Sequence, residues 1–358
     1  GTLFLIGPRR YGKTSILAIA EEEARKKGVL VLRVNAEAYP TLDLLVQELL
    51  AKAAGSLGGN VQEAGERIGR FFGRLRPSVA YDVLDQSWSV SVAAAAEAAP
   101  TQATLLVDAL DGLERLALEA GQRAVVIIDE FQQVVAQEGV GAEQQLRAAI
   151  QTHRQVGYVF AGFGTRALVD MTSDPARPFY RMGERRFVGP VPRDDFRPFL
   201  RRGFTEAGLR VDQAGVEAIL DAAEDVPYNV QRLAHACWSA LRDQPDARLT
   251  APFVQATLER AVRQEDPFYT QLWNGLSRTQ QKALLAVVRR GGAGLYARDS
   301  LAAAGLGQST MQTALAALER TSVLRTDGES ASNRYRFEDP FFAAWIRLVM
   351  PAALVRPR

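Results

Sequence analysis

The sequence predicts an α/β fold: a five-stranded parallel sheet sandwiched by helices, then an all-α segment, then a small domain of three helices and a two-stranded wing. Three observations carry that prediction. Wholly apolar runs, Leu3–Ile6 and Ala124–Ile128 among them, have the composition of parallel strands covered on both faces. Stretches with apolar residues at three-and-four spacing lie between such runs, as over Leu42–Ala54. From Arg193 to Val262 the pattern is helical throughout.

Taken in order, Leu3-Phe-Leu-Ile6 is the first strand. Gly7, four residues, and then Gly12-Lys13-Thr14 complete the phosphate-loop pattern G-x-x-x-x-G-K-[ST]. A helix is predicted over Lys13–Lys27, with Gly28 as its stop. Strand, loop and helix are the context that the motif requires. Gly7 and Gly12 permit backbone angles that a Cβ would forbid. The loop can then turn its N–H groups inward as an anion nest, and the helix adds its positive dipole end. The candidate nucleotide-binding set is therefore Gly7, Pro8, Arg9, Arg10, Tyr11, Gly12, Lys13, Thr14 and Ser15. Lys13 is expected to reach the β- and γ-phosphates, and the Thr14 hydroxyl to hold Mg2+.

Gly28–Val34 is the second strand, with Asn35 at its end. A later apolar strand ends in Asp129-Glu130. Carboxylates there sit where open α/β sheets bind ligands. Asp129 is the expected Mg2+ partner, through water, and Glu130 is placed to polarise an attacking water. By itself such a pair reads equally well as the charged start of a helix; a phosphate loop in the same domain favours the chemistry.

The 358 residues suffice for two or three domains. Charged residues make up 23% and hydrophobic ones 47%, ordinary for a soluble globular chain. A net charge of +2 implies no strong global attraction to nucleic acid. Cys237 is the single cysteine, which excludes an internal disulfide and fits a reducing cytoplasm. His153 and His235 are the only histidines, too few beside one cysteine for a zinc site. No apolar run has the length of a membrane span, and no secretory signal is visible.

The stretches Gly7–Ser15, Ile127-Ile-Asp-Glu-Phe-Gln132 and Arg177-Pro-Phe-Tyr-Arg181 resemble the archaeal-type ATPases. These are AAA-related P-loop enzymes close to the signal-transducing STAND group and to the origin-recognition ATPases. The resemblance covers nearly the whole chain. It implies a P-loop NTPase core with strand order 5-1-4-3-2, a helical lid and a winged helix. It also implies ATP and Mg2+ as cofactors and ATP hydrolysis as the reaction. Lys13, Glu130 and Arg181 form the expected catalytic set. Arg181 matches the family arginine after Phe-Tyr, which could act in trans on a neighbour's nucleotide in a homo-oligomer; a surface ion pair is the alternative. Pro227 matches the lid proline that lies against the adenine, with Asp225 where the family has glycine. The family has Gly-Ser at the strand end that senses the γ-phosphate. This chain has Gly162-Phe163-Gly164-Thr165, so the sensor role falls to Thr165. Relatives carry a short upstream helix that helps hold the adenine, whereas this sequence opens on the first strand; a trimmed chain or a weakened base pocket is expected.

The domains are expected at 1–192 for the ATPase core, 193–265 for the lid and 266–358 for the winged helix; within the core Thr101 is expected to open a helix, Ala142–Gln155 to form a polar helix and Arg186–Gly189 the last strand. Residues 55–100 read as an insertion: a glycine-rich loop, a helix over Val61–Leu75, and a hairpin of Val79–Leu84 with Ser87–Val92. The hairpin is an interaction surface or a cover for one side of the sheet. In the lid, Asp194, Asp212 and Pro227 are expected to start helices, Arg232 to be structural, and His235 and Cys237 to be core or boundary residues. Pro267–Gly275 reads as a connector. Helices over Ser277–Arg290, Ala297–Ala304 and Gln308–Arg320, then strands Val323–Thr326 and Arg334–Phe337 around Asp327-Gly328, complete the winged helix.

From Arg263 onward there are 13 Lys and Arg against 8 Asp and Glu. The third helix nevertheless offers Gln308, Ser309, Thr310, Gln312 and Thr313, with no cation before Arg320. Gln and Thr can read base edges, but phosphate anchoring would fall to Arg334 and Arg336. DNA contact on one side and a protein-interaction or lid-packing role on the other are equally open. Three functions follow: an ATPase that drives conformational or assembly change, a nucleotide-gated switch with little turnover, and a DNA-binding regulator tuned by ATP.

Overall fold

The computed structural model describes residues 1–57, 60–92, 102–163, 165–244, 246–327 and 334–354, without the side chains of residues 102, 138, 165–167, 327 and 352–353. The chain forms two compact units, Gly1–Gly189 and Pro190–Arg358.

In the first unit the order is β1 (Thr2–Ile6), α1 (Lys13–Lys26), β2 (Leu30–Asn35), α2 (Leu42–Leu57), α3 (Val61–Phe71), β3 (Pro77–Asp82), β4 (Ser87–Val92), α4 (Gln102–Glu119), β5 (Ala124–Asp129), α5 (Gln132–Thr152), β6 (Val156–Gly162), α6 (Thr165–Ser173) and β7 (Glu184–Phe187). Five of the strands pair in parallel, in the order β2-β5-β6-β1-β7. Counting core strands only, this is the 5-1-4-3-2 order that the resemblance implies. All five therefore end on one side of the sheet, where parallel sheets gather their ligands.

Strand alternation divides the core. Phe4 and Ile6 of β1 join the larger cluster with Leu49, Leu110, Phe131 and Phe160. Leu5, between them, joins Leu17 of α1, Val31, Ile127 and Ala161 in a smaller cluster. β5 is buried on both faces, which is why Val125 to Ile128 contains no polar residue. β7 is the opposite case. Its Glu-Arg-Arg-Phe is exposed throughout, a short charged edge strand. This strand was expected at Arg186–Gly189, but pairing with β1 begins at Glu184 and stops at Phe187.

The hairpin forms as a four-residue turn between β3 and β4, with Pro77 opposite Val92 and Asp82 opposite Ser87. One face, carrying Val79, Trp88, Val90 and Val92, packs on the larger core. The turn leaves Val83 77% and Leu84 94% exposed. Helix α2 runs on through Gly55 to Leu57, where a loop was expected, and residues 58–59 of that loop lie outside the described residues. α3 stops at Phe71 and a 3-10 turn covers Gly73–Leu75. Thr101, expected to open the next helix, is outside the described residues. α5 starts ten residues before the expected Ala142, with a break at Gly139.

The second unit comprises α7 (Arg193–Thr205), β8 (Arg210–Val211), α8 (Gln213–Ala222), α9 (Pro227–Arg242), β9 (Arg248–Leu249), α10 (Ala251–Gln264), α11 (Asp266–Asn274), α12 (Arg278–Arg290), α13 (Arg298–Ala304), α14 (Gln308–Arg320), β10 (Leu324–Asp327), β11 (Arg334–Phe337), α15 (Pro340–Val349) and α16 (Pro351–Leu354). One hydrophobic cluster runs from Phe196 to Ile346. The expected all-helix stretch contains the short parallel pair β8–β9. The expected connector is the helix α11, because Pro267 fits a first turn and Tyr269 and Trp273 bury the same face. Asp194 lies in the first turn of α7 rather than at its cap, which is Pro192. Asp212 is the N-cap residue of α8, yet its carboxylate accepts from Arg248 instead of capping. Among the described residues no helix is long and apolar enough to cross a membrane.

At the end of the sheet opposite the phosphate loop, Glu114 accepts the N–H groups of Arg154, Gln155 and Val156 at 2.8–3.1 Å. Burial opposes the Glu114 charge, but these donors outweigh it and hold the carboxyl below its ordinary value. A depressed folded pKa contributes stability above the unfolded value, and the contribution is lost as pH falls through the folded one. Glu114→Gln is therefore expected to flatten the acid side of the stability curve, read by urea unfolding between about pH 5 and pH 3. An unchanged slope would remove this carboxylate from the acid response.

Candidate active site

The loop after β1 is built to receive an anion. Gly12 caps α1 in the left-handed conformation, φ 85°, and no side chain bonds back to the helix start. The first N–H groups of α1 are thus not consumed by a capping side chain, which is what an anion site at a helix start needs. Gly7 is pressed against the chain beyond β7, where an added Cβ would lie 2.6 Å from the Val188 carbonyl oxygen. Lys13 is buried, and its Nζ donates to the carbonyls of Gly7 at 2.9 Å and Pro8 at 2.8 Å.

β6 lies between β1 and β5, so the loop and the carboxylates flank one strand end. Thr14 Oγ1 donates to Asp129 Oδ2 at 2.9 Å across that end. Asp129 is 3% exposed, and its Oδ1 accepts the Glu130 N–H at 3.1 Å. A hydroxyl and a carboxylate in bonding distance are a hard oxygen donor pair, and they fit the demands of Mg2+. Glu130 takes a left-handed backbone, φ 55°, a conformation that persists where the surroundings enforce it. Phe131 supplies that enforcement: its N–H bonds to the Ala161 carbonyl at 2.8 Å, and its ring stacks on Phe160 at 4.1 Å. Gln132 Nε2 donates to Glu130 Oε2 at 2.6 Å.

Arg9 stitches the loop to its neighbours. Its guanidinium carbon lies 3.5 Å from the centroid of the Phe163 ring, and its Nη2 meets Glu37 at 2.9 Å. Phe163 thus occupies the strand end where the resembled family has a polar residue. The Thr165 side chain lies outside the described residues.

Arg181 is exposed, with φ 52°, and its guanidinium carbon sits 5.2 Å from the Tyr180 ring centroid. Its segment is anchored on α5. Fully buried Glu143 pairs with Arg177, through Nε at 3.1 Å, and this carboxylate drives the Arg177 pKa up. Arg147 donates to the carbonyls of Pro178 and Tyr180. Neither Glu143 nor Arg147 stood out in the sequence, because both lie in a polar helix among many similar residues. Gln132 was in plain view within Asp-Glu-Phe-Gln, but only the fold brings its amide to Glu130.

Pro227 opens α9 in the second unit and is buried. Asp225 adopts φ 57°, the conformation a glycine would take there, and accepts from Arg193 Nε at 2.8 Å. Arg232 pairs with Glu265 and covers the Phe341 ring. His235 is exposed and stacked on Trp238, not in the core; Cys237 is buried, which pushes its thiol up to about 12. Arg334 Nε donates to the Gly291 carbonyl at 2.8 Å and Arg336 Nη1 to Glu224 at 3.3 Å. No group of three or more metal-ligating side chains exists among the described residues.

No protein-family model and no curated protein matches the sequence. Solved structures do. A Walker-type ATPase of Pyrococcus abyssi is 19% identical, with 97% of this chain and 91% of that one covered at a TM-score of 0.61. The ORC2 protein of Aeropyrum pernix is 15% identical in its ADPNP–ADP complexes, with 98% and 89% covered at a TM-score of 0.51. Its ADP form gives 15%, 99%, 87% and 0.51. The fold of this chain is thus similar to that of these archaeal proteins.

Gly7→Ala is expected to distort the loop and to weaken any binding of nucleotide there at least about tenfold by calorimetry, since its Cβ must displace backbone. Wild-type affinity in that variant would show that the loop tolerates the side chain.

Proposed function

We propose that this chain, folded as an archaeal-type P-loop ATPase, binds Mg–ATP on the β1–α1 loop and hydrolyses it to drive a change in conformation or assembly. The observation that carries the reading is the Thr14–Asp129 hydrogen bond, with Lys13 buried in the loop and Glu130 next in sequence. Lys13 would neutralise phosphate charge, and Glu130 would take the proton of a water attacking the γ-phosphorus in line. Thr14 and Asp129 would hold Mg2+, which supplies further charge neutralisation when bound. Catalysis here is positioning and electrostatics, because phosphoryl transfer leaves the protein little covalent work.

Arg181 is the candidate trans-acting arginine in a homo-oligomer, supported by its exposure and by a ring contact in place of a carboxylate partner among the described residues. Residues 1–192 would be the core, 193–265 a lid presenting Pro227 to the adenine, and 266–358 a winged helix. The wing arginines bond within their own unit, which favours a protein partner over DNA for that segment. A second reading, a switch with little turnover, is favoured by Phe163 at the strand end, where a ring under Arg9 stands in place of a polar γ-phosphate sensor.

Steady-state phosphate release separates the readings. Glu130→Gln is expected to cut turnover about 100-fold or more while keeping ATP affinity. Lys13→Ala is expected to abolish tight ATP binding by calorimetry. Negligible wild-type release, with an ATP-dependent change in oligomer size, would replace the enzyme by the switch.

A further inference from the structure

Glu130 has its backbone fixed by the turn into Phe131, so its side chain holds the remaining freedom. Gln132 takes up that freedom through the 2.6 Å bond from Nε2 to Oε2. A carboxylate only accepts, so the amide must present its nitrogen. Its carbonyl oxygen, Oε1, is thereby turned into a buried position with no hydrogen-bond partner among the described residues. A buried acceptor without a donor is unfavourable, and a Met or Leu here would avoid it. The seat for that oxygen exists because residue 162, at the end of β6, is glycine: a Cβ there would lie 2.1 Å from Gln132 Oε1. A left-handed Glu130, an unpartnered amide oxygen and a strand end without a side chain all concern one carboxylate. Strain that gathers in this way marks function rather than stability.

We propose that Gln132 is a positioning residue: it holds Glu130 by Oε2 and leaves Oε1 to take the proton of the attacking water. The inference rests on the hydrolytic reading above. It also gives the Asp-Glu-Phe-Gln sequence a division of labour, with Asp129 on the metal side, Glu130 as base, Phe131 as anchor and Gln132 as clamp.

The test is Gln132→Met in the full chain, alone and combined with Glu130→Gln. Met keeps the length and removes both the donor and the unpartnered oxygen. The expected result is a split. Single-turnover hydrolysis falls at least about tenfold, while ATP affinity stays within about twofold and the thermal midpoint does not fall. In the Glu130→Gln background the Met substitution should cost nothing more, because a clamp without its carboxylate has no effect. A residue that merely supports packing would lower stability or affinity together with rate, and would add its loss to that of Glu130→Gln. Wild-type rate in Gln132→Met, or additive loss in the double variant, would overturn the assignment of Gln132 alone. A wild-type chain with no phosphate release dependent on Glu130 would overturn the hydrolytic reading and this inference together.

Discussion

The structure depends on a parallel sheet in which β6 separates β1 from β5. That order places the phosphate loop on one side of the β6 end and the Asp129-Glu130 turn on the other, close enough for Thr14 to bond Asp129 across 2.9 Å. Parallel pairing also brings every strand to the same side, so loop, carboxylates, Asn35 and Phe163 share one rim. At the end of β6 Gly162 leaves room for the Gln132 amide and the Leu168 side chain, which a Cβ would meet at 2.1 and 2.6 Å.

The rim is held by packing more than by charge. Phe4, Phe131, Phe160 and Phe179 form a ring cluster beneath it, with centroid separations of 4.1–6.0 Å. Aromatic clusters of this kind resist repacking, because each ring fills a volume that its neighbours cannot. Phe131 therefore fixes the left-handed turn at Glu130 through its ring and its N–H bond to the Ala161 carbonyl. Phe179 belongs both to the cluster and to the segment that presents Arg181, so one core sets the geometry of two functional candidates. The charged ties, Arg177 to buried Glu143 and Arg147 to the carbonyls of Pro178 and Tyr180, then orient the arginine segment on α5.

The second unit follows a different logic. Its helices share one core, and Arg334 and Arg336 of β11 are bonded within the unit. Asp225 at φ 57° keeps the turn before Pro227 without a glycine, because its carboxylate is held by Arg193.

The sequence by itself determined the strands whose both faces are buried, the phosphate loop, the carboxylate pair and the helix boundaries marked by strong caps, such as Ser277 with Gln280. These signals are local: composition, spacing and a few obligatory residue types. It misplaced β7 and took α11 for a connector, because an edge strand carries no apolar signature and a helix opening with proline resembles a break. Only the tertiary structure decided which polar side chains act together. Glu143 reaches Arg177 and Arg9 stacks on Phe163 because separate elements converge, and Gln132 reaches Glu130 because the left-handed backbone at Glu130 turns the chain; no spacing along the sequence encodes either.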